Sequence, residues 1–408
     1  MKKFTLDELI FFALALFAFS VIFSVTVVEG ALLIALALLL VKKYQAKDLP
    51  SLKPALTGHP LFIPWLVYLG ICLLTALTAY YPAKGLGQVN SDFLKYVCLS
   101  TLLLAVKKEH LPKLSAIYTA AAVIAAFIGI GEVARSIAAN SLDITRANAF
   151  MNAVRYGEVM GIALLLILSR VIIPVKETFK YEKLFYRLAI FPVFIALVLS
   201  QTRGSYLGLF TGIAVMLYFA SPSRRKVAAY AAILFVTASV VLLVNPSIRN
   251  RFTGDQALTE KNASQAAEPT YSSVNIRLEL WKLGLTMFKD HPVLGVGPDN
   301  IKKVFKKYHP EAIGYNQTWG SLHNLYIHQA AERGIAGLGA LLFLFLSLFL
   351  FSLNRFRAVR SPYTLWALCA LPAYYMMNLT EITFQHVHTA FAIFLALAFA
   401  AVVEEEKL

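Results

Sequence analysis

An all-α, polytopic membrane fold is what this sequence predicts, with about twelve transmembrane helices and one large loop on the outer side. Three observations predict it. Of the 408 residues, 58% are hydrophobic and only 15% are charged, where a soluble protein carries about a quarter. Water-soluble cores of this chain length cannot take up so much apolar side chain. The apolar residues are also gathered into runs that suit a bilayer core, which needs roughly 20 residues per helix and tolerates about 17. Finally, Lys and Arg crowd into alternate loops, as the cytoplasmic loops of membrane proteins do. The composition excludes a disordered chain and argues against a soluble multidomain enzyme.

The elements follow in order. Uninterrupted apolar runs cover residues 9–28, 61–81, 114–131, 227–245, 336–353, 361–380 and 389–403. Shorter or interrupted runs cover 30–41, 93–106, 157–175, 188–202 and 204–223. Val28-Glu29-Gly30 reads as a tight turn between the first two helices, and the Met1-Lys2-Lys3 start reads as a retained first helix without a small-residue cleavage site. With the N-terminus inside, the inner segments carry twenty basic residues, from Lys2 and Lys42 through Lys107, Lys180, Arg224 and Arg355 to Lys407. The short outer segments carry five: Lys84, Arg135, Arg146, Arg155 and Arg203. Both chain ends then lie inside. The net charge of +15 is thereby assigned to membrane topology, and no nucleic-acid partner is expected. Three regions result: 1–245 with helices one to nine, 246–335 as the outer loop with short helices, and 336–408 with helices ten to twelve and the tail.

The outer loop departs from the tight connections elsewhere, and a loop of this length is usually functional. It opens on Asn245-Pro246 and includes a polar stretch, 254–269, expected to be mobile. Apolar residues at Ile276, Leu280, Leu283 and Met287 then repeat at helical spacing, and 322–333 is a second helical stretch leading into the next span. No internal repeat supports an inverted-repeat transporter.

Several polar residues share the outer boundary. Arg203 sits in the break Gln201-Thr202-Arg203-Gly204-Ser205-Tyr206; it suits snorkelling to headgroups or bidentate binding of phosphate. Arg277 opens a helix, where a solvated surface role competes with a ligand role. Arg146 and Arg155 flank the loop between spans five and six. His323 precedes the helix entering the 336 span, where a neutral imidazole can accept a proton. His328 and Glu332 share a helix face but lack a third metal ligand. His386 and His388, at another outer boundary with Glu381, likewise fall short of a ligand set, and no acidic pair is arranged for base or metal work. The chain has no Asp-x-Asp, no phosphate-binding Walker loop, no Gly-x-Ser-x-Gly and no His-Glu-x-x-His. Cys72, Cys98 and Cys369 all fall in apolar runs, so neither a disulfide nor a cysteine metal cluster is indicated.

The motifs together resemble one family. His323-Asn324, nine residues, then Gly334-Ile335-Ala336-Gly337 is similar to the signature His-[Asn/Ser/Gln]-x9-Gly-x-x-[Gly/Thr/Tyr] of O-antigen ligases. Arg277-Leu278-Glu279-Leu280-Trp281 and the run from His291 through Gly295-Val296-Gly297-Pro298 to Asn300 resemble a segment shared by O-antigen ligases and polymerases. Arg203-Gly204-Ser205-Tyr206 resembles the superfamily's Arg-Gly turn. The stretch from Arg146 through Asn152 to Tyr156 resembles its earlier outer loop, with the usual Gly before the aromatic and the Asn-Pro-Asn replaced.

The resemblance implies an inner-membrane enzyme with a periplasmic active site. It would be an inverting, metal-independent glycosyltransferase without cofactor, moving O-antigen polysaccharide from undecaprenyl pyrophosphate to lipid A-core. His323 would then be the base, Arg203 and Arg277 the cation clamp on the departing pyrophosphate, and Arg146, Arg155, Asn324 and Tyr206 substrate-binding residues. An O-antigen polymerase or protein O-oligosaccharyltransferase would share the donor. A lipid or glycan transporter is the alternative of another class; it should show two six-helix halves joined on the inside, whereas the long loop here is outside.

Overall fold

The computed structural model describes residues 4–139, 146–173, 175, 177–220, 223–244, 273–308 and 318–403. The expected mobile stretch 254–269 lies outside them. Among the described residues the fold is helical throughout, with no strand. The helices are α1 (Leu6–Ser20), α2 (Val25–Gln45), α3 (Leu52–Thr57), α4 (Phe62–Leu77), α5 (Pro82–Ala105), α6 (Leu111–Ala138), α7 (Ala153–Ile172), α8 (Glu182–Leu199), α9 (Arg203–Phe219), α10 (Arg224–Val244), α11 (Ser273–Asp290), α12 (Ile301–Val304), α13 (Leu325–Ala358), α14 (Pro362–Met377) and α15 (Val387–Val402).

Apolar composition around the whole helix circumference sends a helix to the centre, and α7, α14 and α15 are buried along nearly their full length. Around them, α8 and α9 pack on α7, the α1–α2 hairpin packs on α6 and α5, and the α4–α5 hairpin packs on α13 and α15. The outer helices keep large apolar side chains exposed: Phe12 and Leu16 on α1, Leu33 and Ile34 on α2, Leu66 and Leu73 on α4, Phe127 on α6, Leu342 and Leu346 on α13. Against water such a surface would be an aggregation liability; hydrocarbon suits it. Among the described residues, three segments have the length and composition to cross a membrane: Val25–Gln45, Lys108–Ala138 and Leu325–Ala358. Leu49–Thr57 and Phe62–Leu77 meet at an 83° bend and have that length and composition only when taken together. The other helices that carry apolar runs range from 15 residues in α1 to 24 in α5.

The first turn differs from the sequence expectation. The reversal falls at residues 21–24, and Val28-Glu29-Gly30 lies inside α2. The cause is local. Ser24 takes extended backbone and its hydroxyl accepts from the Val27 N–H, which caps α2 five residues before the charged Glu29. Likewise α5 starts at Pro82 and not at Phe93. Its polar first turns stay helical because Asp92 and Lys95 are buried with partners: Lys95 Nζ lies 2.9 Å from Asp92, and Arg333 Nη2 donates to Asp92 at 2.9 Å.

One device positions everything near the outer loop. Gly334 interrupts α13 with φ +61° and ψ −162°, so a short helix, 325–333, meets the long apolar span at a break. The loop 291–300 is hydrogen-bonded into this break: Ile335 N–H to Pro292 O at 2.8 Å, Val296 N–H to Ala331 O at 2.9 Å and Gly297 N–H to Glu332 O at 2.8 Å. The same loop reaches the α4–α5 junction, where the Tyr81 N–H donates to Asn300 Oδ1 at 2.7 Å. A Cβ at Gly334 would lie 2.2 Å from the Val293 carbonyl oxygen, at a φ that L-residues rarely adopt. Gly334→Ala is therefore expected to destabilise the fold by at least the roughly 1–2 kcal/mol of a left-handed residue. Thermal unfolding of the purified protein checks this; an unchanged midpoint would contradict it.

Candidate functional site

The site is assembled at the start of α13 from four distant stretches of chain. His323 has φ +48°, a left-handed conformation in which His is enriched among non-glycine residues. Asn324 follows as the N-cap of α13: its side-chain oxygen accepts from the Tyr326 and Ile327 N–H groups at 3.0 and 3.1 Å. The N–H just before these, that of Leu325, donates to Asn378 O at 2.9 Å and Glu381 O at 3.2 Å. The start of α13 is thus pinned to the loop that follows α14, and this loop carries Glu381.

Glu381 joins two of the residues singled out in the sequence. Its Oε2 lies 2.8 Å from His323 Nδ1, and its Oε1 accepts from Arg277 Nη2 at 2.8 Å. The carboxylate is 8% exposed, against 25% for His323 and 31% for Arg277, so it sits behind them and they form the accessible face. Burial acts to raise the Glu381 pKa, but the hydrogen bond from His323 and the charges of His323, Arg277 and His386 outweigh it and hold the carboxyl below its ordinary value. An ionised carboxylate only accepts hydrogen bonds. Its partner must therefore be Nδ1–H, which leaves Nε2 as the acceptor of a neutral His323. Trp319 packs edge-on against the imidazole at 5.7 Å between ring centroids.

Arg203 comes from another direction. It is the first residue of α9 and is exposed. Its neighbour Gly204 lies so close to the Glu381 loop that a Cβ there would be 2.1 Å from Thr380 Oγ1. Only glycine admits this approach, and it sets the Arg203 turn beside the residue preceding Glu381. Arg146 braces the same turn: Nε donates to Ser200 O at 2.8 Å and Nη2 to Thr202 Oγ1 at 2.8 Å. Its fork is engaged with protein, so it acts through the turn. The Tyr206 hydroxyl donates to Val198 O at 2.6 Å, which ties α9 back to α8. Arg155 lies in the first turn of α7, where its charge reaches His388. Of the residues expected to bind substrate, Asn324, Tyr206 and Arg146 thus have polar atoms committed to the fold.

A second carboxylate–imidazole pair lies behind the first. Glu158 Oε1 accepts from Thr383 Oγ1 at 2.7 Å, and Oε2 lies 3.6 Å from His386 Nδ1. Thr383 and His386 belong to the loop that carries Glu381. His328 and Glu332, 3.4 Å apart, are turned inward, where Glu332 Oε1 accepts from the Asp299 N–H at 2.8 Å. Among the described residues no group of three or more His, Cys, Asp or Glu could hold a metal ion.

The partners of Glu381 and Glu158 are not visible in the sequence around them. In the sequence Glu381 is an acid at an outer boundary whose nearest histidines are His386 and His388. Glu158 sits inside an apolar run, and such an acid is a signal of function in itself.

Residues 188–342 match the sequence model of the O-antigen ligase family. The matched stretch contains Arg203, Arg277 and the whole His323-to-Gly337 signature, which the structure has just shown to be a cap, a nine-residue helix and a glycine break. Over this stretch the chain is similar to the O-antigen ligase/polymerase superfamily. An O-antigen ligase of Escherichia coli (strain K12) is 27% identical over 167 residues, which is 38% of either chain. An uncharacterised protein of Haemophilus influenzae is 25% identical over 182 residues, 42% of this chain and 44% of that one. The chain thus spans less than half the length of the curated relatives it matches. Its long apolar helices and this similarity both agree with a multi-pass membrane protein. Glu381 lies outside the stretch that matches this superfamily's model.

Glu381→Gln tests the electrostatics. A group whose folded pKa is lowered contributes stability above its unfolded pKa and loses it as pH falls through the folded one. The wild type is expected to exceed the Gln variant by roughly 1–3 kcal/mol at pH 7 and to keep that advantage until the pH drops below the ordinary carboxylate value of 4.5. Unfolding midpoints against pH check this; an advantage already gone at pH 6 would contradict it.

Proposed function

We propose that this chain is an inverting, metal-independent glycosyltransferase that moves a polysaccharide from undecaprenyl pyrophosphate to a sugar hydroxyl of lipid A-core. The observation that carries the proposal is the Glu381 carboxylate, bonded at once to the His323 imidazole and the Arg277 guanidinium. That arrangement answers the two demands of the reaction. The hydroxyl must lose its proton as its oxygen bonds to the anomeric carbon, and the bond from that carbon to the pyrophosphate oxygen must break with the charge stabilised.

His323 Nε2 takes the proton. Glu381 fixes the tautomer and stabilises the imidazolium that forms, the role a buried carboxylate plays behind a histidine base. Arg277 gives one N–H to Glu381 and keeps others for phosphate oxygens. Arg203, set beside the same loop, supplies a second guanidinium. Two forks placed where charge develops replace a metal ion. Attack on the face opposite the leaving group inverts the centre.

In this reading the His323 side of the bundle faces the periplasm and both chain ends face the cytoplasm, in agreement with the distribution of basic residues. Donor and acceptor are both lipids, and a site at the membrane surface lets each enter laterally from the bilayer.

Reconstitution tests the proposal: purified protein, lipid-linked polysaccharide and rough lipopolysaccharide, assayed for a ladder on a gel. Transfer is expected with the wild type and unaffected by chelator. His323→Ala should lower the rate by about two to four orders of magnitude. Arg203→Lys and Arg277→Lys should each lose most activity, because a point charge does not reproduce the fork. Full activity in His323→Ala would overturn the base assignment. Extension of the lipid-linked glycan, or its transfer to a protein, would replace the ligase reading with the polymerase or oligosaccharyltransferase one.

A further inference from the structure

At the opposite end of the bundle lies a half-open cavity of about 250 Å³. α5 measures the separation: its first residues touch the 291–300 loop near the candidate site, its last ones line the cavity, and 24 residues at about 1.5 Å each span nearly the thickness of a membrane. The cavity is built from the N-terminal turn of α1, the C-terminal turns of α2 and the end of α5.

Its lining divides into two parts. Ile10, Leu39 and Leu104 form an apolar wall. Around it stand three ammonium groups and two carboxylates. Asp7 is shared: Lys42 Nζ and Lys107 Nζ both lie 2.7 Å from Asp7 Oδ1. Lys43 is paired with Asp48 at 2.5 Å. One carboxylate facing two ammonium groups leaves one positive charge unbalanced in the cavity. Glu109 approaches Lys107 only to 3.8 Å, is largely exposed and is not part of the lining. Beside the cavity, α2 turns Leu40, Val41 and Tyr44 outward, an apolar strip ending in the amphipathic aromatic that favours a membrane interface.

We propose that this cavity binds the phosphodiester headgroup of an anionic membrane lipid. A phosphodiester carries one negative charge and matches the one unbalanced ammonium. The volume is below the range for a whole drug-sized ligand and suits a headgroup whose chains remain outside, along the α2 strip. Basic pockets between membrane helices are known receptors for such headgroups. The bound lipid bridges α1, α2 and α5, and α5 leads from there to the loop that holds the break in α13.

The test uses the full chain in a zwitterionic detergent, followed by native mass spectrometry and thermal unfolding. Phosphatidylglycerol, phosphatidylethanolamine with the same chains, and glycerol phosphate are added in turn. Phosphatidylglycerol is expected to be retained and to raise the unfolding midpoint, while the other two do neither at the same concentration. Lys42→Gln and Lys107→Gln should each weaken its binding about fivefold, the worth of one lysine near an anionic headgroup. Asp7→Asn should strengthen binding by a similar factor, because it frees a second ammonium. Equal retention of the two lipids, or no response to the charge variants, would overturn the proposal. Protection by glycerol phosphate equal to that by phosphatidylglycerol would overturn the lipid assignment in favour of a soluble phosphate. None of these readouts depends on glycosyl transfer.

Discussion

A carboxylate that is nearly withdrawn from water has to be paired, and the Glu381 carboxylate is paired twice, with Arg277 on one oxygen and His323 on the other. A buried charge left without partners costs several kcal/mol, so this requirement draws three otherwise separate stretches into one place. α11 must come down beside the end of α14, and the start of α13 must reach the same loop. The pairing also orders the chemistry: it places the imidazole N–H on the Glu381 side, holds one edge of the guanidinium, and leaves Nε2 and the remaining Arg277 donors toward the accessible face.

The surrounding backbone is shaped to present those side chains. Leu325 binds the carbonyl of Glu381, so the strained His323 and the cap at Asn324 are locked to the loop they serve. Gly334 breaks α13 so that its first segment takes a direction different from the apolar span, and the 291–300 loop fills the break with backbone hydrogen bonds. Arg146 and Gly204 do the corresponding work for the Arg203 turn, one by bracing it and the other by letting it approach Thr380. Glu158 steadies the loop from beneath through Thr383. The transfer proposed above would gain from this construction, since reacting groups held to within a fraction of an ångström need rigid support.

Much of this was legible in the sequence. Apolar runs mark most of the long helices, and Arg277 and His323 stand out by residue type and by their place at the outer boundary. Two kinds of information were missing. Register at helix ends depends on which polar residue finds a backbone partner, and the Ser24 cap overrode the charge at Glu29 as the marker of the first turn. Partnership across long separations is also invisible: 104 residues divide Arg277 from Glu381, and nothing local to Glu381 says which histidine it faces. The neighbours His386 and His388 were the natural choice by proximity, yet one faces Glu158 and the other the Val21 carbonyl. Asn324 illustrates the converse. A polar residue in a family signature invites a ligand role, and here its oxygen closes a helix end.

The central claim is that Glu381 acts through His323. A double-mutant cycle on the transfer rate measures this directly, with Glu381→Gln and His323→Ala made singly and together. The account predicts that Glu381→Gln slows the wild type but changes nothing further once His323 is alanine, so that the coupling equals the whole single-variant effect. Independent losses that simply multiply in the double variant would contradict it, and would make Glu381 a structural anion that happens to touch the histidine.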